Sequence, residues 1–426
     1  MNEEFDDLED FFDQEGFDDR LELAQMSLDQ GDSEEALELV EEFLEDHPFD
    51  VEALNICAVA ATNLQDEVKA MAIYRKALRL DPKNGAIHHN YGVLLDRLGR
   101  HREALDHLRK ALNFQPDFPE AYVNLGNVLD ELGETPEALK MYDEALKRRP
   151  DSADAYFNKG HALNRMGRYA EAEECFRAAL GMEPNDPACL NGRAFSLAGL
   201  GRDEEAVACY NRAIGRERGN PNYFFNRGLS LVRLGRFEEA LFDFETALEA
   251  EPSFFEALLE KGNVLMELQR FDEAREILEE AAQREPLSAE PPFYLALLLE
   301  RQGNREAALG ALEESLRIDP DSIHTLNNKG SVLMDLGRLD EAMTCFDAIL
   351  ERTDVYPLAH YNRACIFARM GRTADAVRAL SRASRLEPHF LSDAQIDADF
   401  DPIREKPSFK KLVCAQAGES TGQLTS

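Results

Sequence analysis

The feature that most constrains this chain is a period. Proline recurs at Pro48, Pro82, Pro116, Pro150, Pro184, Pro252, Pro286, Pro320 and Pro388, always one or two steps of about 34 residues apart. The two skipped steps hold Arg218 and Asp354, with prolines displaced to Pro221 and Pro357. Glycine keeps the same step at Gly31, Gly99, Gly133, Gly167, Gly201, Gly235, Gly303, Gly337 and Gly371, and Gln65 and Gln269 fill its gaps. Alanine never fails, from Ala36, Ala70 and Ala104 through Ala172 and Ala240 to Ala376. Three markers in one phase give about eleven repeats without an insertion, from Phe17 to Phe390.

Within a unit such as Pro119–Pro150, Leu125, Leu129 and Leu132 recur at helical spacing. Gly133 breaks that pattern, and Ala138, Tyr142 and Ala145 carry a second one up to Pro150. Each unit is therefore expected to be two amphipathic helices joined by a tight turn. The constant alanine belongs where the helices cross, and small residues such as Gly92, Gly126 and Gly160 permit close approach. One such hairpin cannot bury both apolar faces, so it must stack on its neighbours. The expected fold is an all-α solenoid over 17–390, with repeats starting near 17, 51, 85, 119, 153, 187, 221, 255, 289, 323 and 357. An acidic, aromatic-containing tail (1–19) precedes it, and a cap (391–414) and a disordered tail (415–426) follow. Ile396, Phe400, Ile403, Phe409 and Leu412 are expected to cover the last apolar face.

The repeat resembles the tetratricopeptide repeat, whose period is 34. Runs of the form AYxNLGNxL, as at Ala121–Leu129, are similar to the repeat region of protein O-linked N-acetylglucosamine transferases, without any counterpart of the transferase domain. The resemblance implies a right-handed superhelix whose concave groove, lined by the first helices, binds other proteins. A departure is the total lack of Trp; its usual place holds Tyr122, Tyr156, Phe224, Leu190 or His88.

Composition narrows the partners. The net charge is −36 and the pI about 4.6. A phosphate backbone or an anionic membrane would be repelled, so neither nucleic acid nor membrane is an expected partner. The N-terminus lacks a basic, then apolar, leader and no apolar run is long enough to span a bilayer, so a cytoplasmic location is expected. Seven cysteines without a CxxC pair read as reduced core residues. Phosphate-cradling, zinc-protease and nucleophile-elbow motifs are missing, and nine histidines lack ligand spacing. No catalytic residue, cofactor or metal is expected; the chain reads as a non-enzyme.

Candidate binding residues sit in the first helices. Two residues before the small crossing residue stand Asn90, Asn124, Asn158, Asn226, Asn328 and Asn362. By resemblance to the transferase repeats, such asparagines contact the backbone of an extended peptide, since an amide both donates and accepts. The ladder breaks at Gly192, Glu260 and Tyr294. A second pattern, with twice the period, places Arg97, Arg165, Arg233, Arg301 and Arg369 late in the first helix, each preceded by His89, Phe157, Phe225, Phe293 or Tyr361. These arginines either pair with the acids of adjacent repeats or, with the aromatics, receive an acidic-aromatic peptide. The chain's own N-terminal tail is such a peptide, and its contact with the groove would be autoinhibitory. No basic cluster of the kind that clamps a C-terminal carboxylate is found. The expected function is a non-catalytic protein-interaction scaffold. The alternatives are a targeting subunit for an enzyme on another chain, or a spacer with no groove ligand.

Overall fold

A computed structural model describes residues 19–414. Among them all regular structure is helical, arranged as eleven hairpins and a C-terminal cap. By compactness the chain falls into two units, Met1–Arg218 and Gly219–Ser426.

The first unit holds six hairpins: Arg20–Gln30 with Ser33–Asp46, Val51–Asn63 with Glu67–Leu80, Gly85–Arg97 with His101–Phe114, Pro119–Glu131 with Thr135–Arg148, Ala153–Arg165 with Tyr169–Met182, and Pro187–Gly199 with Asp203–Arg216. The second holds five: Pro221–Arg233 with Phe237–Ala250, Phe255–Glu267 with Phe271–Arg284, Glu290–Arg301 with Arg305–Ile318, Ile323–Asp335 with Leu339–Arg352, and Pro357–Arg369 with Thr373–Leu386.

Local chemistry sets these boundaries. Asp50, Asn84, Ser152, Asp186 and Ser322 cap first helices by accepting from a backbone N–H in the first turn. Proline opens several others, where its missing N–H costs nothing. The glycine ending each first helix is left-handed, with φ of +80 at Gly133. Gln65 and Gln269 adopt the same conformation, at φ 64 and 58, because the hairpin demands it there too.

The small first-helix residue packs flat against a side chain of its own hairpin's second helix. A Cβ on Gly126 would meet the Tyr142 ring at 2.5 Å, one on Gly228 the Phe244 ring at 2.7 Å, and one on Gly330 the Phe346 ring at 2.5 Å. These rings are buried, as is every recurring alanine from Ala36 to Ala376. The glycine thus lets the core ring of its own hairpin lie against the helix backbone, the close approach of the next helix that the sequence suggests. Phe176 touches two glycines, Gly160 in its own repeat and Gly192 in the next.

The cap comprises Phe390–Ile396, a 3-10 turn at Ala398–Phe400, and Pro407–Cys414. Phe400, Ile403 and Phe409 are buried as expected. Ile396 is not: it ends its short helix 85% exposed, and Phe390, Leu391 and Val413 supply the apolar cover instead. Leu412 is only partly buried against the core. Of the N-terminal tail, residues 1–18 lie outside the described residues, as does the expected tail 415–426.

Candidate functional site

Within each unit the first helices of neighbouring repeats touch, as Gly85–Arg97 touches Pro119–Glu131 and Phe255–Glu267 touches Glu290–Arg301. In the first unit they form a continuous layer, so residues in nearly the same register of successive first helices become neighbours.

The asparagine ladder uses this register. Asn90 Nδ2 donates to Asn55 Oδ1 at 3.1 Å, Asn124 Nδ2 meets His89 Nε2 at 2.8 Å, and Asn362 Nδ2 donates to Asn327 Oδ1 at 3.4 Å. Each reaches back to the first helix of the preceding repeat. Asn158, Asn226 and Asn328 are half-buried in the same register. One such bond fixes an amide's orientation and leaves a second N–H and acceptor capacity on the oxygen. Tying repeats together and pairing with a peptide are therefore compatible roles.

The breaks in the ladder have packing reasons. A Cβ on Gly192 would lie 2.5 Å from the Phe176 ring, so no side chain fits. Its carbonyl accepts from Asn164 Nδ2 at 3.2 Å and Ser196 Oγ at 2.9 Å, in a buried knot that sequence reading missed. At Glu260, burial raises the carboxyl above its usual range, and Glu290 adds to the effect. Burial and these two acids push the Tyr294 phenol up to about 12. Two successive rungs are thus replaced by an acidic and an aromatic group.

The arginines behave unevenly. Arg165 pairs with Asp130, and Arg301 with Glu267. Arg369 donates to the Met334 carbonyl at 2.9 Å and lies 3.8 Å from Asp399 of the cap. The contacts with Asp130, Glu267 and Met334 tie each arginine to the repeat before it. Arg233 donates to Ser230 Oγ in its own helix, at 3.0 Å, and Arg97 is exposed. Their aromatic companions lie mainly against other rings. His89 lies 4.6 Å from Phe118, Phe225 4.8 Å from Phe254 and Tyr361 4.7 Å from Phe390, between ring centroids. Phe157 packs edge-on against Phe176, and Phe293 against Tyr294.

A more regular electrostatic ladder runs elsewhere. Lys159, Lys261, Lys329 and Arg363 each reach a carboxylate on the second helix of the preceding repeat: Asp143 at 2.6 Å, Glu245 at 3.0 Å, Glu313 at 3.1 Å and Asp347 at 3.1 Å. Arg193 reaches Glu173 at 2.8 Å. Arg227 instead grips Asp243 of its own hairpin with two bonds, at 2.5 and 2.8 Å. Asp243 is 1% exposed, and burial raises its carboxyl against the lowering effect of Arg227. The signal was legible: these cations hold one register, just before the crossing residue, with an acid in fixed phase upstream.

Among the described residues one group could converge on a metal ion, formed by Cys365, Asp397 and Asp399. Its atoms are already engaged. Asp397 accepts from the Tyr361 hydroxyl at 2.7 Å and from the Asp399 N–H at 2.9 Å. The arrangement locks the cap onto the last hairpin, and Tyr361, expected to face a ligand, is 8% exposed beneath it. Six of the cysteines are free and buried, and burial pushes the Cys57 and Cys175 thiols up to about 11, which makes them poor nucleophiles. Among the described residues no helix is long and apolar enough to cross a membrane.

Comparison with known proteins agrees with this architecture. A family model described as a tetratricopeptide repeat matches residues 21–85, 123–187, 157–223, 225–289 and 259–323, more than half of the chain. Related repeat models match 97–133, 73–106 and 299–364. No curated protein sequence matches. Among solved structures, yeast Tom70 aligns over 94% of this chain and 98% of its own, with a TM-score of 0.52 and 14% identity, a likeness of fold. A tetratricopeptide repeat protein from Parabacteroides merdae aligns over 58% of this chain and 98% of its own, with a TM-score of 0.45 and 22% identity. With its period, its stacked hairpins and its matched repeats, this chain belongs to the tetratricopeptide repeat family.

Proposed function

We propose that this chain is a non-catalytic protein-interaction scaffold that holds an extended segment of a partner protein along the layer of first helices. The observation that carries this reading is the asparagine register. Amides at one position in successive repeats are oriented by bonds such as Asn90 to Asn55, yet keep hydrogen-bonding capacity for a peptide backbone. A preformed rigid face loses little entropy on binding, so modest contacts per repeat add up. The twofold arginine-aromatic register is a lesser contributor, because Arg165, Arg301 and Arg369 are held by preceding repeats. Docking of the acidic N-terminal tail on this layer therefore relies on few basic groups. A cytoplasmic setting suits the free cysteines.

The test is a triple substitution within one unit: Asn90, Asn124 and Asn158 to Ala. Partners captured by the full chain are expected to be lost while thermal unfolding shifts little. Unchanged capture would assign these amides to repeat stacking alone and favour a spacer role.

A further inference from the structure

Three of the aromatic first-helix residues have a ring laid over them from the start of the next repeat or of the cap. Phe118 covers His89, Phe254 covers Phe225 and Phe390 covers Tyr361, at centroid distances of 4.6, 4.8 and 4.7 Å. In the register that would cover Phe293, the chain has Ser322. A cavity of about 370 Å³ lies there, bounded by the start of Glu290–Arg301, the end of Arg305–Ile318 and the start of Ile323–Asp335.

The lining is unlike the rest of the array. Phe293 and Tyr294 supply aromatic surface, and Glu290 and Asp319 supply carboxylates. Ser315 and Thr325 stand where other repeats place Ala, as at Ala247, Ala281, Ala257 and Ala359. Both are buried and held in a polar floor. Ser315 Oγ donates to the Ala289 carbonyl at 2.8 Å, and Thr325 Oγ1 lies 2.8 Å from Ser322 Oγ. Among the described residues no lysine or arginine lines the space, and the one basic group there is His324. The Glu260 carboxyl, in the adjacent ladder position, is raised above its usual range by burial, with Glu290 adding to the effect.

An aromatic face, two carboxylates and no resident cation define a complementary group. It is flat, cationic and a multiple hydrogen-bond donor. A guanidinium stacks on rings and forks onto carboxylates, where a compact ammonium does only the second. We propose that this cavity is a specificity pocket for an arginine side chain of the bound partner segment, stacked on Phe293 in the place that Phe118, Phe254 and Phe390 fill over His89, Phe225 and Tyr361. The inference rests on the first-helix reading given above, and adds that the partner segment carries an arginine.

Isothermal titration calorimetry of the full chain tests it, with an acetylated, amidated peptide of four Gly-Ser-Arg units. Parallel peptides carry citrulline, lysine or phenylalanine in place of arginine. The arginine peptide is expected to bind at least ten times more tightly than the other three. Ser322→Phe places a ring over Phe293 without changing charge, and should weaken the arginine peptide at least tenfold. The pair Glu290→Gln with Asp319→Asn should do the same, and decides the matter if Ser322→Phe does not fold. Failure of the arginine peptide to bind the wild type overturns the proposal. So does equal affinity for the Ser322→Phe chain, which would mean diffuse attraction to an acidic protein. Equal binding of lysine would show that charge alone is read, and equal binding of citrulline or phenylalanine that the carboxylates are idle; each refutes an arginine pocket. Should these fail while the Asn90, Asn124 and Asn158 substitution still abolishes partner capture, the scaffold reading stands without this pocket.

Discussion

The packing of Phe176 permits a demanding test of how these hairpins cohere. An added Cβ on Gly160 would lie 2.8 Å from Phe176 Cζ and 2.9 Å from Cε2. The ring is fully buried and also abuts Gly192, so it has nowhere to withdraw. Overpacking of this kind costs about 1–3 kcal/mol. Replacing glycine inside a helix returns roughly 1 kcal/mol of propensity. Gly160→Ala alone should therefore lose about 0–2 kcal/mol by these two terms. Phe176→Leu removes part of a buried ring and should lose about 1–2 kcal/mol. In the double variant a leucine faces an alanine, the combination that the same register gives natively at Ala296 with Leu312 and Ala364 with Leu380. The overpacking then disappears while the helix gain stays, so the double variant should be about 1–3 kcal/mol more stable than the sum of the singles predicts. Urea unfolding followed by circular dichroism measures all four corners of the cycle. Additivity within about 0.5 kcal/mol would refute the ring-on-glycine contact as the organising feature of the hairpin.

Three further outcomes follow from particular groups. Gly133→Ala meets no atom within 4 Å, so its cost is conformational, about 1 kcal/mol; Gln65→Gly should gain roughly 0.5–1 kcal/mol, since Gln65 already holds a positive φ. Opposite signs in urea melts are expected, and equal signs would contradict the turn geometry. His107 Nδ1 lies 2.9 Å from His88 Nδ1, and His88 Nε2 faces the Pro82 carbonyl at 3.2 Å. Because that carbonyl can only accept, His88 Nε2 carries the proton, and His107 Nδ1–H donates to the bare His88 Nδ1. Burial, followed by His88 and Lys110, depresses the His107 imidazole to about 4. The folded state thus prefers the neutral ring. The contribution to stability is full above the unfolded value near 6.5 and is lost as pH falls towards 4, by about 1–2 kcal/mol after allowance for partial exposure. Titration of the His107 imidazole by NMR should give a midpoint near 4; an ordinary midpoint near 6.5 would contradict the buried pair. Tyr361→Phe removes the 2.7 Å hydrogen bond to Asp397 and should cost about 1–3 kcal/mol. Amide exchange should rise over Phe390–Ile396 first, and unchanged exchange there would remove Tyr361 from the latch.

The fold was legible because its determinants are local and repeated. The left-handed turn, the crossing alanine and the prolines between hairpins each announce themselves at one spacing, and the helix boundaries fall within a few residues of that register. What escaped was chemistry that depends on which neighbour a side chain reaches. The arginine register looked like the main electrostatic pattern, yet the cations at Lys159, Lys261, Lys329 and Arg363 form the steadier one. Both are periodic, and only geometry says which carboxylate each can reach. Gly192 looked like a missing asparagine, whereas the Phe176 ring excludes any side chain there. Ile396 had the right hydropathy for the cap, but a helix of seven residues ends before it can turn inward. The space beside Phe293 came from a difference in the sequence, serine in the register where Phe118, Phe254 and Phe390 cover three of the other aromatic residues, whose meaning appears only when the covering ring is seen elsewhere.

The most direct test of the account is hydrogen–deuterium exchange of the full chain with and without a captured partner. Protection is expected along first helices, over Gly85–Arg97, Pro119–Glu131 and Ala153–Arg165 in one unit and Glu290–Arg301 in the other, with the second helices little changed. Protection confined to second helices or to inter-repeat turns would place the partner on another surface and contradict the account.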